Sequence, residues 1–448
     1  MHGYRARLAA TCLFLVLTVS CGTNKWHPDP PESADLKLTV EIFFSSSNDS
    51  AKIGATAAEK TEEFKEISQY VKLNERPDPD TTEEAEAVAK EIRSDPRVLA
   101  VVGHSRSGTT RAALPFYEDA GIPVLMAAAT SPYALYHFKQ DQPWPSVDRL
   151  GQEPGYQRFT NAFRLPPSDV PDQVDAIKAA TKALTGTGTD TDATMEVIKS
   201  ATKVMIICET TRRNGSDVYT KPMCDSLRRD PDRTFSPLVA SYREIDLDTG
   251  DIWGLVTEVH AIKPKLIILL GYAEFARDLL EELKERASAV GQKMSDYTFI
   301  MSDASLSAPD LTQFGSAVYV TTAINGEAVR CSSAEAKTLK DEVTGNNKRK
   351  EEPTEESYAF DAVLILAAAV KQCETTLDRR CVTRYLESNH ANLHGACQQY
   401  FIEKGERQNA SYSIYSGCNG KLMPRWAVEK GGKNIHDDGK WRCKANGG

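Results

Sequence analysis

Residues 98–110, VLAVVGHSRSGTT, place a run of β-branched residues, a Gly-His-Ser turn and a helix-forming stretch in succession. Strand, tight turn with an exposed serine, then helix is how an α/β-hydrolase presents the nucleophile of G-x-S-x-G. Ser105 would be that nucleophile. The elbow, however, needs glycine two residues after the serine, because the turn is tight and strained. Ser107 stands there, and Gly108 comes one residue late. A hydrolase also needs an acid and a histidine downstream, and His260, His390, His394 and His436 fall in no stretch that reads as a catalytic loop. The same geometry serves a second chemistry. A Ser/Thr/Gly-rich loop at a helix N-terminus offers backbone N–H groups, hydroxyls and the positive end of the helix dipole, and so holds a carboxylate without reacting with it. A second such loop, AAATSP at 127–132, follows the next strand. Neighbouring polar loops at the C-terminal ends of parallel strands are where open α/β sheets bind ligands. Two plain βα turns are the remaining reading.

The elements that position these loops alternate. LKLTVEIFF (36–44), YVKLNERP, VLAVVG and IPVLMAA read as strands; SAKIGATAAEKTEEFKEIS, TTEEAEAVAKEIRSD and TTRAALPFYEDAG read as helices. Thr81 or Thr82 caps the second helix, with acids in its first turn. Strands alternating with helical periods of this length predict βαβ units and a parallel sheet. An irregular stretch, 133–158, rich in Pro, Gly, Gln and aromatics, follows. A second series starts after NAFRLPPSD: KVMIICE, LVASYREI, PKLIILLGY, YTFIMSD and AVYVTTAIN are strands, with helices between most of them. A long helix in TEESYAFDAVLILAAAVKQC and a β-hairpin region close the chain. The stretches 185–194 and 345–356 read as loops.

With 448 residues, 41% hydrophobic and 26% charged, the chain is long enough for two to three ordinary globular domains. A net charge of −9 favours neither nucleic acid nor an anionic membrane surface. Residues 1–20 read as a secretory signal, with Arg5 and Arg7 before a short apolar stretch. Cys21 directly after it resembles a bacterial lipobox, which implies cleavage before Cys21 and lipid on its thiol. An ordinary signal with Cys21 paired elsewhere is the alternative. Residues 21–35 read as a polar, proline-rich tether. No later stretch is long and apolar enough for a transmembrane helix.

Setting aside Cys12 and Cys21 leaves eight cysteines, an even number that suggests disulfides in an exported protein. Cys373 and Cys381 flank a short turn between helices and are the first expected pair; Cys208 and Cys224 are the second. No C-x-x-C pair occurs and no histidine lies at ligand spacing from the cysteines, so neither a metal nor a cofactor is expected.

In joint order and spacing, VLAVVGHSRSGTTRAALPFYEDAGIPVLMAAATSP, NAFRLPPSD, KLIILLGY, FIMSDASLS and ESYAFDAVLILAAAV resemble the type I periplasmic binding proteins, specifically the leucine/isoleucine/valine-binding family. The resemblance covers nearly all of 36–425. It implies an α/β fold of two hinged lobes, each a parallel sheet flanked by helices, one from 36–163 and 326–408, the other from 164–325 and 409–448. It implies a non-enzymatic, extracytoplasmic, membrane-anchored receptor that binds an amino acid or similar small polar ligand and delivers it to an ABC permease. A sensor domain for a membrane signalling partner is the alternative. Carried over residue by residue, Ser107, Ala128 and Thr130 hold the ligand's carboxylate end, Tyr272 covers it, and Asp303 faces its ammonium. The blander reading makes Ser107 and Thr130 helix caps, Tyr272 a packing residue, Asp303 a turn cap and Arg106 a solvent-facing charge. The family's usual Tyr-Gly after the MIICE strand is Asn214-Gly215 here, so an aromatic wall is missing or comes from elsewhere, with Tyr219 the candidate.

Overall fold

In the computed structural model, residues 37–44, 50–137, 144–152, 155–185, 203–229, 238–289, 291–305, 311, 318–322, 334–347, 356–389, 393–396, 399–403, 405–408, 412–418, 421–428 and 435–436 are described. The signal, Cys21, the tether, the 185–194 loop beyond its first residue and most of 345–356 lie outside them.

Continuous apolar runs such as VLAVV and LIILL form strands buried on both faces, as parallel strands covered by helices must be. The first lobe opens with β1 (Leu38–Phe44), α1 (Ser50–Glu59), α2 (Glu62–Ile67), β2 (Val71–Pro77), α3 (Thr82–Ser94), β3 (Val98–Val102), α4 (Ser107–Asp119), β4 (Val124–Met126) and β5 (Ala162–Arg164). Its sheet has the order β2-β1-β3-β4-β5, parallel throughout. The single helix expected over SAKIGATAAEKTEEFKEIS is two. Thr61 accepts from Phe64 N–H at 3.3 Å and so caps a new helix in mid-segment. Thr81 caps α3 in a full capping box with Glu84.

The second series is α5 (Val174–Thr185), β6 (Val204–Glu209), α6 (Ser216–Arg229), β7 (Val239–Ile245), α7 (Ile252–Ile262), β8 (Leu266–Leu270), α8 (Ala273–Ala289), β9 (Thr298–Met301) and β10 (Val318–Thr322). Its strands run parallel in the order β10-β9-β8-β6-β7. After α9 (Ala334–Asn347), the helix α10 (Glu356–Gln372) returns to the first lobe, packing against α1, α2 and β3. Nearly all its residues are buried, which explains an apolar sequence without a polar face. Gly54 permits the approach, since a Cβ there would overlap the backbone oxygen of Glu356. α11 (Arg379–Ser388) and the short strands β11 (Leu393–His394), β12 (Gln399–Tyr400), β13 (Ile402–Glu403) and β14 (Glu406–Arg407) follow. β15 (Tyr412–Cys418), β16 (Lys421–Val428) and β17 (Ile435–His436) then extend the second sheet antiparallel from β10, a departure from an all-parallel lobe. Disulfides join Cys208 to Cys224 and Cys373 to Cys381, the two expected pairs.

Candidate functional site

The loop between β3 and α4 is organised by one carboxylate. Asp78, just past β2, is 7% exposed; its Oδ1 lies 2.5 Å from His104 Nδ1, and its Oδ2 accepts from Ser105 N at 2.8 Å and from the Ser105 hydroxyl. His104 Nε2 lies 3.0 Å from the Tyr117 hydroxyl, so both imidazole nitrogens are engaged away from Ser105. Ser105 therefore donates to a carboxylate and has no imidazole base, which removes the nucleophile reading. That chemistry needs His and Ser in mutual contact; here both turn to Asp78, and the loop is thereby fixed for α4 to start at Ser107.

From that helix start the first lobe meets the second. Ser107 is buried, and its Oγ accepts from Ser131 N at 3.2 Å. Ser131 Oγ in turn donates to the carbonyl of Val218, in α6, at 2.6 Å. Gly108 lies against Gly215, and a Cβ on either would overlap the other's backbone. Arg106, expected to face solvent, does not: its side chain is 14% exposed, pairs with Glu274 at 3.0 Å and lies 5.2 Å above the Tyr272 ring. Glu274 stands at the start of α8, so the guanidinium finds both an anion and an aromatic face on the opposite lobe.

On the second lobe Tyr272 stacks on Tyr219, with centroids 5.4 Å apart and planes 7° from parallel. Tyr219 thus supplies the aromatic surface that Asn214 does not. Asn214 instead donates to Glu209 at 3.0 Å, and the other Glu209 oxygen accepts from Tyr272 N at 2.8 Å. Burial pushes the Glu209 carboxyl up. The Tyr272 hydroxyl is buried near Gly108 without a well-formed hydrogen bond among the described residues.

Asp303 opens a short turn after β9. Its Oδ1 accepts from the Tyr219 hydroxyl, from Gln173 Nε2 at 3.1 Å and from Ala304 N at 2.9 Å. The last bond is the turn-cap role; the first two are not. Oδ2 has no hydrogen-bond partner among the described residues, and burial raises the carboxyl above the usual range. Behind it, in the crossing between lobes, Asp169 is fully buried and its carboxyl is pushed well up, by burial first and by the Asp303 charge second. Asp169 Oδ2 and Gln173 Oε1 have no well-formed hydrogen bond among the described residues. Thr130 joins this network through its carbonyl, which accepts from Arg164 Nη1 at 2.5 Å and from Asp169 N at 3.0 Å. Arg164 is fully buried, paired with Glu406, and lowered to about 10 by burial. Ala128 stands half-exposed in the loop after β4.

Ser107 and Thr130 thus lie on one lobe, Tyr272 and Asp303 on the other, at elements that meet. Sequence reasoning missed Asp78, Arg164, Asp169 and Gln173. Three of these lie in FRLPPSDVPDQ, where charged residues at an apolar crossing were the available signal.

Two α/β lobes joined by several crossings, with polar loops of both facing one another, define the type I periplasmic-binding-protein fold. Consistent with this, the chain superposes on the branched-chain amino acid transporter substrate binding protein LivJ of Streptococcus pneumoniae, solved with isoleucine: TM-score 0.62, 19% identity, 88% of this chain and 99% of that one. A leucine binding protein LivK from Thermotoga maritima gives TM-score 0.62 at 16% identity, covering 88% and 99%. A solute binding protein of an ABC transporter from R. palustris, solved with benzoate, gives 0.62 at 12% identity, covering 91% and 100%. No curated protein matches the sequence. Residues 193–416 match the receptor family ligand binding region, and the chain belongs to that family. That family is one of receptor ligand-binding regions.

Proposed function

We propose that the chain is an extracytoplasmic solute receptor that closes its lobes, 36–163 with 326–408 and 164–325 with 409–448, around an amino acid or similar small zwitterion. Ser107, Ala128 and Thr130 take the carboxylate, Tyr272 covers the ligand, and Asp303 takes the ammonium. The observation that carries this reading is Asp303 itself: three of the chain's own donors fix Oδ1 and leave Oδ2 for a donor from outside. Donors on one lobe and an acceptor on the other make closure depend on a ligand that joins them. The LivJ and benzoate complexes, whose ligands share a carboxylate, support an anionic end. Lipid on Cys21 would hold the receptor at the membrane, where it delivers its ligand to an ABC permease. The match to a receptor ligand-binding family favours, as the second reading, a sensor for a membrane signalling partner.

The test is a thermal-shift screen of the oxidised protein against amino acids, small amides and polyols. A ligand at a hundred times its dissociation constant adds about 2.7 kcal/mol. A shift with one amino-acid class establishes the receptor; no shift with any of them removes the proposed pocket.

A further inference from the structure

A cavity of about 790 Å³ lies to one side of the Ser107–Asp303 line, between α3 and α4 of the first lobe, the β6–α6 turn of the second, and Tyr136, His137, Trp144 and Gly155. Its volume is that of a small-molecule site. Neither Tyr272 nor Asp303 lines it. Gly108 does, so the Gly108–Gly215 contact forms part of its wall. The irregular 133–158 stretch contributes Tyr136 and Trp144, and α4 contributes Phe116 and Arg111.

Two opposite charges face this space from opposite lobes. Arg111 stacks on the Trp144 ring, its guanidinium carbon 5.3 Å from the centroid, and Trp144 stacks in turn on Tyr133. The guanidinium carbon thus lies over an aromatic face. Asp217, in the first turn of α6, is 8% exposed. One of its oxygens accepts from Val218 N at 2.9 Å; the other has no hydrogen-bond partner among the described residues. Burial raises this carboxyl to about 6, against the pull of Arg111 and Arg212. The other acids of the lining are engaged: Glu86 pairs with Lys90 at 3.4 Å, and Glu83 accepts from Thr82 at 3.2 Å. A mostly buried carboxylate on one lobe, guanidinium charges beside it, and aromatic walls between them match one kind of small molecule.

We propose that this cavity is a second seat, for an aromatic amino acid: its ammonium on Asp217, its carboxylate on Arg111 and Arg212, its ring against Phe116 and Tyr136. The seat spans both lobes, so filling it holds them together. It does not depend on the Ser107–Asp303 site.

The experiment is calorimetry of L-phenylalanine, L-tyrosine and L-tryptophan on the full oxidised chain and on four variants. Asp217→Asn and Arg111→Met each remove one charge of the seat, and Arg212→Ala changes an exposed side chain whose loss does not threaten folding. Asp303→Asn alters only the other site. The expected result is binding that weakens about 30-fold or more in Asp217→Asn and Arg111→Met, the lower end of the loss when one partner of a buried charge pair goes. Arg212→Ala weakens it in the same direction, and Asp303→Asn leaves it unchanged. Loss in Asp303→Asn, whatever the other variants do, overturns the second seat and assigns the ligand to the first. Absence of binding to the unaltered chain overturns it too, while leaving the first site to its own screen. Retained affinity in both Arg212→Ala and a folded Asp217→Asn does the same.

Discussion

Asp217→Asn is expected to stabilise the protein at neutral pH. The carboxyl rises from its ordinary 3.8 to about 6 in the folded protein, because burial costs the charged form more than Arg111 and Arg212 return. Multiplying that rise by 1.36 kcal/mol per pH unit gives about 3 kcal/mol of strain carried by the ionised group above pH 6. The rise is net of the attraction to both arginines, so the figure already includes what they lose when the carboxylate is neutralised. The sign follows from linkage. A folded-state value above the unfolded one means that the folded protein binds the proton more tightly. The native chain then gains stability as pH falls from above 6 to below about 3.8, and loses it again as pH rises through 6. Asparagine keeps the shape and removes the titration. Urea unfolding of both forms at pH 7.5, 6 and 4.5 should show the variant ahead by up to about 3 kcal/mol at the highest pH, the gap closing with acid. A destabilised variant at pH 7.5, or a gap that does not change with pH, would refute the view that Asp217 is a desolvated charge and make it an ordinary helix-terminal acid.

Asp303→Asn should weaken an amino-acid ligand by about 2–5 kcal/mol in calorimetry, since a buried charge would lose its partner; an unchanged affinity would sink the ammonium assignment. Gly108→Ala places a methyl group against the Gly215 backbone, so the lobes should sit further apart, seen as a larger radius of gyration in X-ray scattering; an identical radius would mean the contact is not part of closure. Replacing Cys373 and Cys381 by serine opens a short loop with a sequence separation of 8. By the loop-entropy relation this costs about 2.5 kcal/mol, and an unchanged midpoint in thermal unfolding would show that the bridge constrains nothing.

The alternation of strands and helices was legible because buried parallel strands are written as unbroken apolar runs, and VLAVV and LIILL have few other structures open to them. The α3 cap was legible because a Thr-x-x-Glu box is local. What escaped was set by partners far along the chain. Arg106 looks like a surface charge until Glu274 and Tyr272 come to it from the other lobe. Asp78 sits 26 residues before His104, and nothing local says that one carboxylate will hold both His104 and Ser105. The split of the first helix at Thr61 was legible in kind but weak, since a threonine inside a helical pattern is common and only its bond to Phe64 decides the matter. Tyr219 was singled out for the missing aromatic, and its bond to Asp303 was beyond reach because it joins helix α6 to the turn after β9, 84 residues further on.

Both lobes are finished by the last part of the chain. The first lobe's strands are all present once Arg164 has been made, yet the helix Glu356–Gln372 that fills its face comes long after. The second sheet has its parallel strands by Thr322, yet gains β15 along β10 only beyond Tyr412. On the ribosome, then, each half waits with apolar surface or a strand edge uncovered until the closing segment emerges. A nascent chain halted near residue 350 would carry two incomplete halves rather than one finished and one missing, so premature termination should yield a chaperone-bound or degraded product instead of a usable single lobe.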